Sequence, residues 1–327
     1  MRSRGGLFAL LAAACTVVAA VAVVSAVVAQ RTTATAPESR STALARPDVV
    51  FRALDKDAGP AHLGELTSTS AAKPGRPRHR SGRLCERLYA STAGGICIAR
   101  TRSLLGAYEA QVLGPDGRLR HKIGLSGVPS RTRVSADGRY GATTTFVTGH
   151  SYATPGDFST QTLLIDMRRG DAIADLETFT VSRGGRVVDA ADVQFCGVTF
   201  ARDSDRFYAT LATGGKTYLI TGRVSTRTAR VIHDNVECPS LSPDGTRIGY
   251  KKLVGKKAKT WRFHVLDLAS DVETPLAETR SVDDQLEWLD DGHVLYHAGD
   301  DIWTVPADGS GAPRRYLEAA DSPAVVR

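Results

Sequence analysis

Gly214-Gly-Lys-Thr217 has the form of the end of a phosphate-binding loop, in which backbone amides and a lysine cradle phosphate oxygens. A complete loop needs a glycine five residues before the second one. Thr210 stands there, and no strand-to-helix context surrounds it. The stretch therefore reads as a hairpin turn. No Gly-x-Ser-x-Gly elbow offers a serine nucleophile, and no His-Glu-x-x-His pair offers a zinc site. His293 and His297 share a strand face, but four strand residues span about 13 Å, too far for both to hold one ion. Asp283-Asp284, Asp290-Asp291 and Asp300-Asp301 could feed a calcium site in a channel, although acidic turns are the commoner use of such pairs. For acid–base work His150, Tyr152 and Asp157 are near neighbours. The expectation is a chain with no catalytic residues, no metal and no cofactor.

The elements that would carry these residues are short strands joined by tight turns. Leu241-Ser-Pro-Asp-Gly-Thr-Arg-Ile-Gly-Tyr250 reads as strand, turn, strand. Pro243 presets its own φ, and Gly245 accepts the positive φ that a side chain resists. Variants recur at Val134-Ser-Ala-Asp-Gly-Arg-Tyr140, Phe200-Ala-Arg-Asp-Ser-Asp-Arg-Phe207 and Leu289-Asp-Asp-Gly-His-Val-Leu295. The matched residues Asp137, Asp203, Asp244 and Asp291 lie 66, 41 and 47 positions apart. A period in the forties built from short strands is that of propeller blades of four strands each.

Five units begin near Cys85, Pro129, Val193, Val236 and Val282. Outer strands are legible at Thr162–Met167, Thr217–Thr221, Arg262–Asp267 and Asp301–Val305, with hairpin turns at Asp116-Gly117 and Asp308-Gly309. Three β-rich runs, 49–54, 62–67 and 76–80, precede the first repeat, and Asp321–Arg327 looks like a first strand that then stops. Pairing the last run with the first three makes a sixth blade and removes two open edges. The predicted fold is an all-β, six-bladed β-propeller closed by its N- and C-terminal strands, with about 47 residues per blade.

Residues 1–6 form a short basic start, and residues 7–29 carry no charge. Twenty-three residues make roughly 35 Å of helix against a hydrocarbon core of roughly 30 Å, so a single transmembrane anchor is expected. The alternative is a signal sequence cleaved near Ala29, giving a secreted protein. Residues 30–47, rich in Thr, Ala, Ser and Pro, read as a flexible linker, and 48–327 as the propeller. Basic residues flank the apolar run on both sides. Export of the propeller is inferred from the resemblance of the short basic start and apolar core to an export signal. The net charge of +7 is spread along the chain, which favours acidic surfaces without singling out nucleic acid.

The Ser-Pro-Asp-Gly turns, the Val265-Leu-Asp-Leu268 and Trp303-Thr-Val-Pro-Ala-Asp-Gly309 strands and the six-blade count resemble TolB-type β-propellers. Together with the N-terminal anchor they resemble the membrane-anchored TolB-like proteins of actinobacteria. The resemblance covers about 48–327 and implies the fold and binding without chemistry. A separate α/β domain like the one carried by the periplasmic TolB is not expected.

Three stretches depart from the repeat, and its topology places all of them on one face: 148–159, 179–192 and 251–259. Long loops on a rigid scaffold are common sites of function. The candidate binding residues are His150, Tyr152, Phe158, Arg183, Arg186, Lys256 and Lys257. Lys251, Lys252 and Lys259 extend the basic sector. The plainer reading is that the insertion caps the channel and the lysines solvate a hairpin. Expected partners are an envelope protein or an anionic wall polymer, with the membrane contacted through the N-terminal helix.

Cys196 and Cys238 precede the first strands of consecutive blades, where a disulfide would staple neighbours. Cys85 and Cys97 flank one hairpin. A turn centred on Ala93-Gly94 leaves them about five residues out of register, too far for a bridge without a bend. The alternative for both pairs is buried free thiols. Cys15 lies in the apolar N-terminal run.

Overall fold

The computed structural model describes residues 48–75, 77–102, 106–147, 159–255 and 259–327. The apolar stretch 7–29 and the linker lie outside the described residues. Among the described residues no helix is long and apolar enough to cross a membrane.

Six sheets, antiparallel apart from one strand pair in blade 4, form a six-bladed propeller. The inner strands of blades 2 to 6 are Arg87–Ser91, Val128–Val134, Gln194–Phe200, Glu237–Leu241 and Glu287–Trp288. Blade 1 takes its inner strand, Ala320–Val325, from the C-terminus and its other three, Asp48–Ala53, Glu65–Ser70 and His79–Leu84, from the start of the propeller. Val49 pairs with Val325, and Ala53 with Ala320. Arg52 reinforces the seam by donating two hydrogen bonds to Asp321, at 2.7 and 2.6 Å. The ring thus closes as the sequence predicts, with no open edge between its first and last strands.

Alternation along the strands explains the core. Apolar residues of adjacent blades meet between the sheets, as Phe263 and Val265 of blade 5 do with Trp288, Val294 and Tyr296 of blade 6. Trp288 is 1% exposed and spends its one donor on Ser240 O at 2.9 Å. That bond ties two blades together and satisfies a polar group that burial would otherwise penalise.

Each Asp-Gly turn is held by its own acid. Asp137 accepts from Arg139 N at 2.9 Å, and Asp244 accepts from Thr246 N at 2.9 Å. Gly138 and Gly245 have φ of 67° and 79°, the left-handed conformation the turn requires. Gly214 and Gly215 connect two strands of blade 4, so that stretch is a hairpin turn.

Two expectations change. Residues 179–192 do not form one open loop. Phe179 and Val181 are buried, and the hairpin Thr180–Arg183 and Arg186–Val187 extends blade 4 to six strands, with Thr180 beside Thr228 in parallel. The apolar side chains draw this segment into the core.

Cys85 and Cys97 are joined, with their Cα atoms 5.3 Å apart. The bend that this requires is present. Cys97 lies opposite Leu88, while Cys85 leaves the ladder and donates its amide to Gly64 O of blade 1 at 2.8 Å.

Candidate functional site at the channel mouth

All six inner strands start on one face, here called the mouth face. It also carries the links between blades and the hairpins between second and third strands. The equivalent position near the start of each inner strand is Ser322, Arg87, Arg131, Gly197, Cys238 and Gln285 in blades 1 to 6. Side chains here surround the propeller axis, so this ring is where the channel would open.

The channel is closed two residues further in. Arg133 of blade 3 reaches across the axis to Glu287 of blade 6, the blade opposite. It also donates to Ser240 Oγ of blade 5 at 3.0 Å and to Leu286 O at 3.2 Å, and lies 4.4 Å from the Tyr89 ring centroid of blade 2. Arg133 is 5% exposed and Glu287 3%. One guanidinium therefore plugs the axis and ties four blades. A rigid planar donor with five N–H groups suits that task.

Outside this plug lies a cavity of about 40 Å³, bordered by Arg87, Arg131, Asp284, Gln285 and Ser322. Arg87 donates to Ser130 O at 2.9 Å and to Glu86 O at 3.1 Å. Burial, and then the charge of Arg131, push Arg87 below the ordinary arginine value. Arg131 donates to Ser130 O at 2.9 Å and has Asp284 4.0 Å away. Its buried Nε has no hydrogen-bond partner among the described residues.

A groove of about 880 Å³ lies on the mouth face between blades 4 and 5. Tyr218, only 4% exposed, and the half-buried Trp261 line it with aromatic rings, Lys216 and Lys259 with positive charge, and Asp192 and Glu237 with negative charge. Trp261 Nε1 donates to Glu237 at 3.1 Å. Burial raises the Glu237 carboxyl above its ordinary range, partly opposed by the charge of Lys251.

The candidate residues divide. His150, Tyr152, Phe158, Lys256 and Lys257 lie outside the described residues, although the strands flanking them end on the mouth face. Arg183 stands at the outer rim of the groove, its guanidinium 4.3 Å from the Tyr218 ring centroid and its Nη1 donating to Tyr218 Oη at 3.0 Å. Arg186 is exposed beside it, paired through the backbone. Lys251 and Lys252 leave the expected basic sector. Lys251 is 3% exposed and pairs with Asp283 and Glu237, and Lys252 pairs with Glu273. Both still belong to the strand Arg247–Leu253, and strand alternation turns them into the blade interfaces rather than into solvent.

Cys196 and Cys238 are free thiols, a correction to the expected staple. The two sulfurs hydrogen-bond to each other, and Lys251 and Arg131 supply positive charge that favours a thiolate. His293 pairs with Asp290 at 3.1 Å, and Asp284 accepts from His297 N at 2.9 Å. No cluster of three metal-ligating side chains occurs among the described residues.

No family model matches the chain, and no curated protein matches it. Solved structures do. TolB from Acinetobacter baumannii superposes with a TM-score of 0.58 at 14% identity, over 85% of this chain and 66% of that one. The fold is the six-bladed β-propeller that this TolB also has. The chain spans 66% of the length of that TolB. A chain of a nidogen/laminin complex superposes with a TM-score of 0.52 at 9% identity, over 86% of this chain and 98% of that one. A puromycin-hydrolysing peptidase from Mycobacterium tuberculosis reaches 0.49 at 14% identity, over 84% and 44%. At these identities the likeness establishes the fold alone.

On this propeller, sequence reasoning missed Arg87, Arg131, Arg133 and Glu287. A signal was present. Val128-Pro-Ser-Arg-Thr-Arg-Val134 puts two arginines into an inner strand, where solvent has little access. Tyr218 and Trp261 were read only as strand residues, because nothing local shows that two blades bring them to one groove.

Proposed function

We propose that the chain is a non-catalytic, membrane-anchored propeller outside the cytoplasm that binds a protein partner with its mouth face. The observation that carries this reading is the pairing of a closed channel with an open groove. Among the described residues, the Arg133–Glu287 bridge leaves a cavity of only about 40 Å³ beside the axis. The groove between blades 4 and 5 offers aromatic rings and charges of both signs over a volume suited to protein side chains. One of the similar chains belongs to a complex of two proteins, which accords with this use of the fold. Internal pairing of Lys251 and Lys252 weakens the alternative of a wall polymer held by a lysine patch.

The test is photo-crosslinking in intact cells from positions 216 and 259, followed by mass spectrometry. The expected result is one recurrent protein adduct that is lost in a Tyr218→Ala, Trp261→Ala double variant. Adducts to polymer alone, falling steeply with ionic strength, would replace the protein reading with polyanion binding.

A further inference from the structure

Cys196 and Cys238 occupy the mouth ends of the inner strands of blades 4 and 5, 42 residues apart in sequence and adjacent in space. Both strands carry a register shift here, between Cys196 and Thr199 and between Glu237 and Ser240. At the shifts, Gly197 and Cys238 take φ of 66° and 51°. The backbones are so close that a Cβ on residue 197 would lie 2.7 Å from Cys238 Cα and 3.4 Å from its Cβ. Thr210 braces both strands: it pairs opposite Cys196 and accepts the Cys238 amide at 2.9 Å. Cys238 is 6% exposed, and Cys196 is the more open of the two.

Charge is arranged around the pair. Lys251 and Arg131 face it with positive charge, and Glu237 and Asp283 with negative. The hydrogen bond from Cys196, with help from Lys251 and Arg131, holds the Cys238 thiol well below its ordinary range. The same bond, and then burial, push Cys196 up. These surroundings favour the thiolate of Cys238, the nucleophilic form, over that of an isolated buried thiol. Cys85 and Cys97 already form a bridge from the link before blade 2 to that blade's second strand.

We propose that Cys196 and Cys238 form a thiol–disulfide exchange site at the mouth of the propeller, with low-molecular-weight disulfides as its oxidant. The thiolate attacks one sulfur of the small disulfide, forming a mixed disulfide and expelling a small thiolate. That thiolate takes the proton of the second cysteine. The second sulfur then attacks the protein sulfur of the mixed disulfide, breaks its bond to the small group and expels a second small thiolate, which is protonated by solvent. Two protein thiols and one small disulfide become one protein disulfide and two small thiols. The product bridges blades 4 and 5 beside the groove and removes a negative charge from next to Arg131 and Lys251.

The experiment equilibrates the full chain in buffers of varied oxidised and reduced glutathione, quenches it by alkylation and maps the peptides by mass spectrometry. The expected result is a peptide pair crosslinked through Cys196 and Cys238 in oxidised buffer, with both thiols alkylated in reduced buffer. The Cys85–Cys97 bridge should persist in mixtures that open the other. A Cys196→Ser variant should stop at a single glutathione adduct on Cys238. Three outcomes would overturn the proposal: thiols that stay alkylatable in oxidised glutathione, separate glutathione adducts on both wild-type cysteines, or a 196–238 bridge that glutathione does not open. The wild-type measurements decide the matter even if the variant does not fold.

Discussion

The two faces of the propeller handle charge in opposite ways. On the Asp-Gly turn face, acids are satisfied close by: Asp137 by Arg139 N, Asp203 by Arg206 N, Asp244 by Thr246 N and Asp290 by Gly292 N. Within the ring, nearer the mouth, acids find partners across blades or along the chain. Glu287 meets Arg133 from 154 positions away, Asp321 meets Arg52 from 269, and Asp283 meets Lys251 from 32. The turn face repeats because each of these acids is satisfied within its own motif, even where a turn also bonds to its neighbour, as Asp244 N does to Asp291. The mouth face does not repeat, because a single side chain there serves several blades. A surface free of the repeat can diverge into a binding site without disturbing the turns that build the blades.

The comparison can be tested by removing bonds of each kind, beginning with the longest in reach. Deleting 321–327 removes the inner strand of blade 1 and the acid that Arg52 holds. The melting temperature followed by circular dichroism should fall by more than ~10 °C, and an unchanged melt would contradict circular closure. Glu287→Ala leaves the Arg133 guanidinium buried without its counter-charge and should cost about 3–5 kcal/mol in denaturant unfolding. The paired change Arg133→Met with Glu287→Leu should recover most of that loss. If the double variant is as unstable as the single one, the plug stabilises through shape rather than charge.

A smaller effect is expected from Glu273, which ties blade 5 to blade 4. It accepts from Lys252, from Tyr250 Oη and, at 2.8 Å, from His233 of blade 4. Burial pushes this carboxyl up, but those hydrogen bonds outweigh it and bring it down to about 2. A carboxyl depressed on folding stabilises the native state above its unfolded pKa, and that stability drains away as pH falls through the folded value. Solvent screening at this partly exposed site reduces the full shift, so the chain should lose on the order of 1–2 kcal/mol from this group between roughly pH 5 and pH 2. Glu273→Gln should flatten the acid limb of a stability–pH curve, and an acid limb of unchanged slope would show that Glu273 is not its source. The smallest effect belongs to the turn face. Asp244→Ala removes bonds from Ser242 and Thr246 at a partly exposed site and should cost about 1 kcal/mol. A loss as large as that of Glu287→Ala would erase the distinction between the two faces.

The same division explains what could be read from the chain. Pro243, Asp244 and Gly245 act within one turn, so the blade repeat was visible, and with it the count of six and the closing role of the last strand. The bend that lets Cys85 reach Cys97 was not visible, because it depends on the Cys85 amide finding Gly64 O in another blade. Lys251 and Lys252 looked like a solvated basic run, since their acids come from Asp283 and Glu273, more than twenty positions away. Of the expected binding residues, Arg183 and Arg186 reach the rim of the groove, but as part of a hairpin added to blade 4.

Taken alone, the sequence determines the strands, the turns, the number of blades and the way the ring is closed. These follow from local φ preferences, period-two burial and a repeat length, all of which act within about fifty residues. Only the tertiary structure decides that Arg133 plugs the axis, that Tyr218 and Trp261 line one groove and that Cys196 and Cys238 lie side by side. Ring closure brings residues from different blades within a few ångströms of each other, and no pattern local to any one blade carries that information.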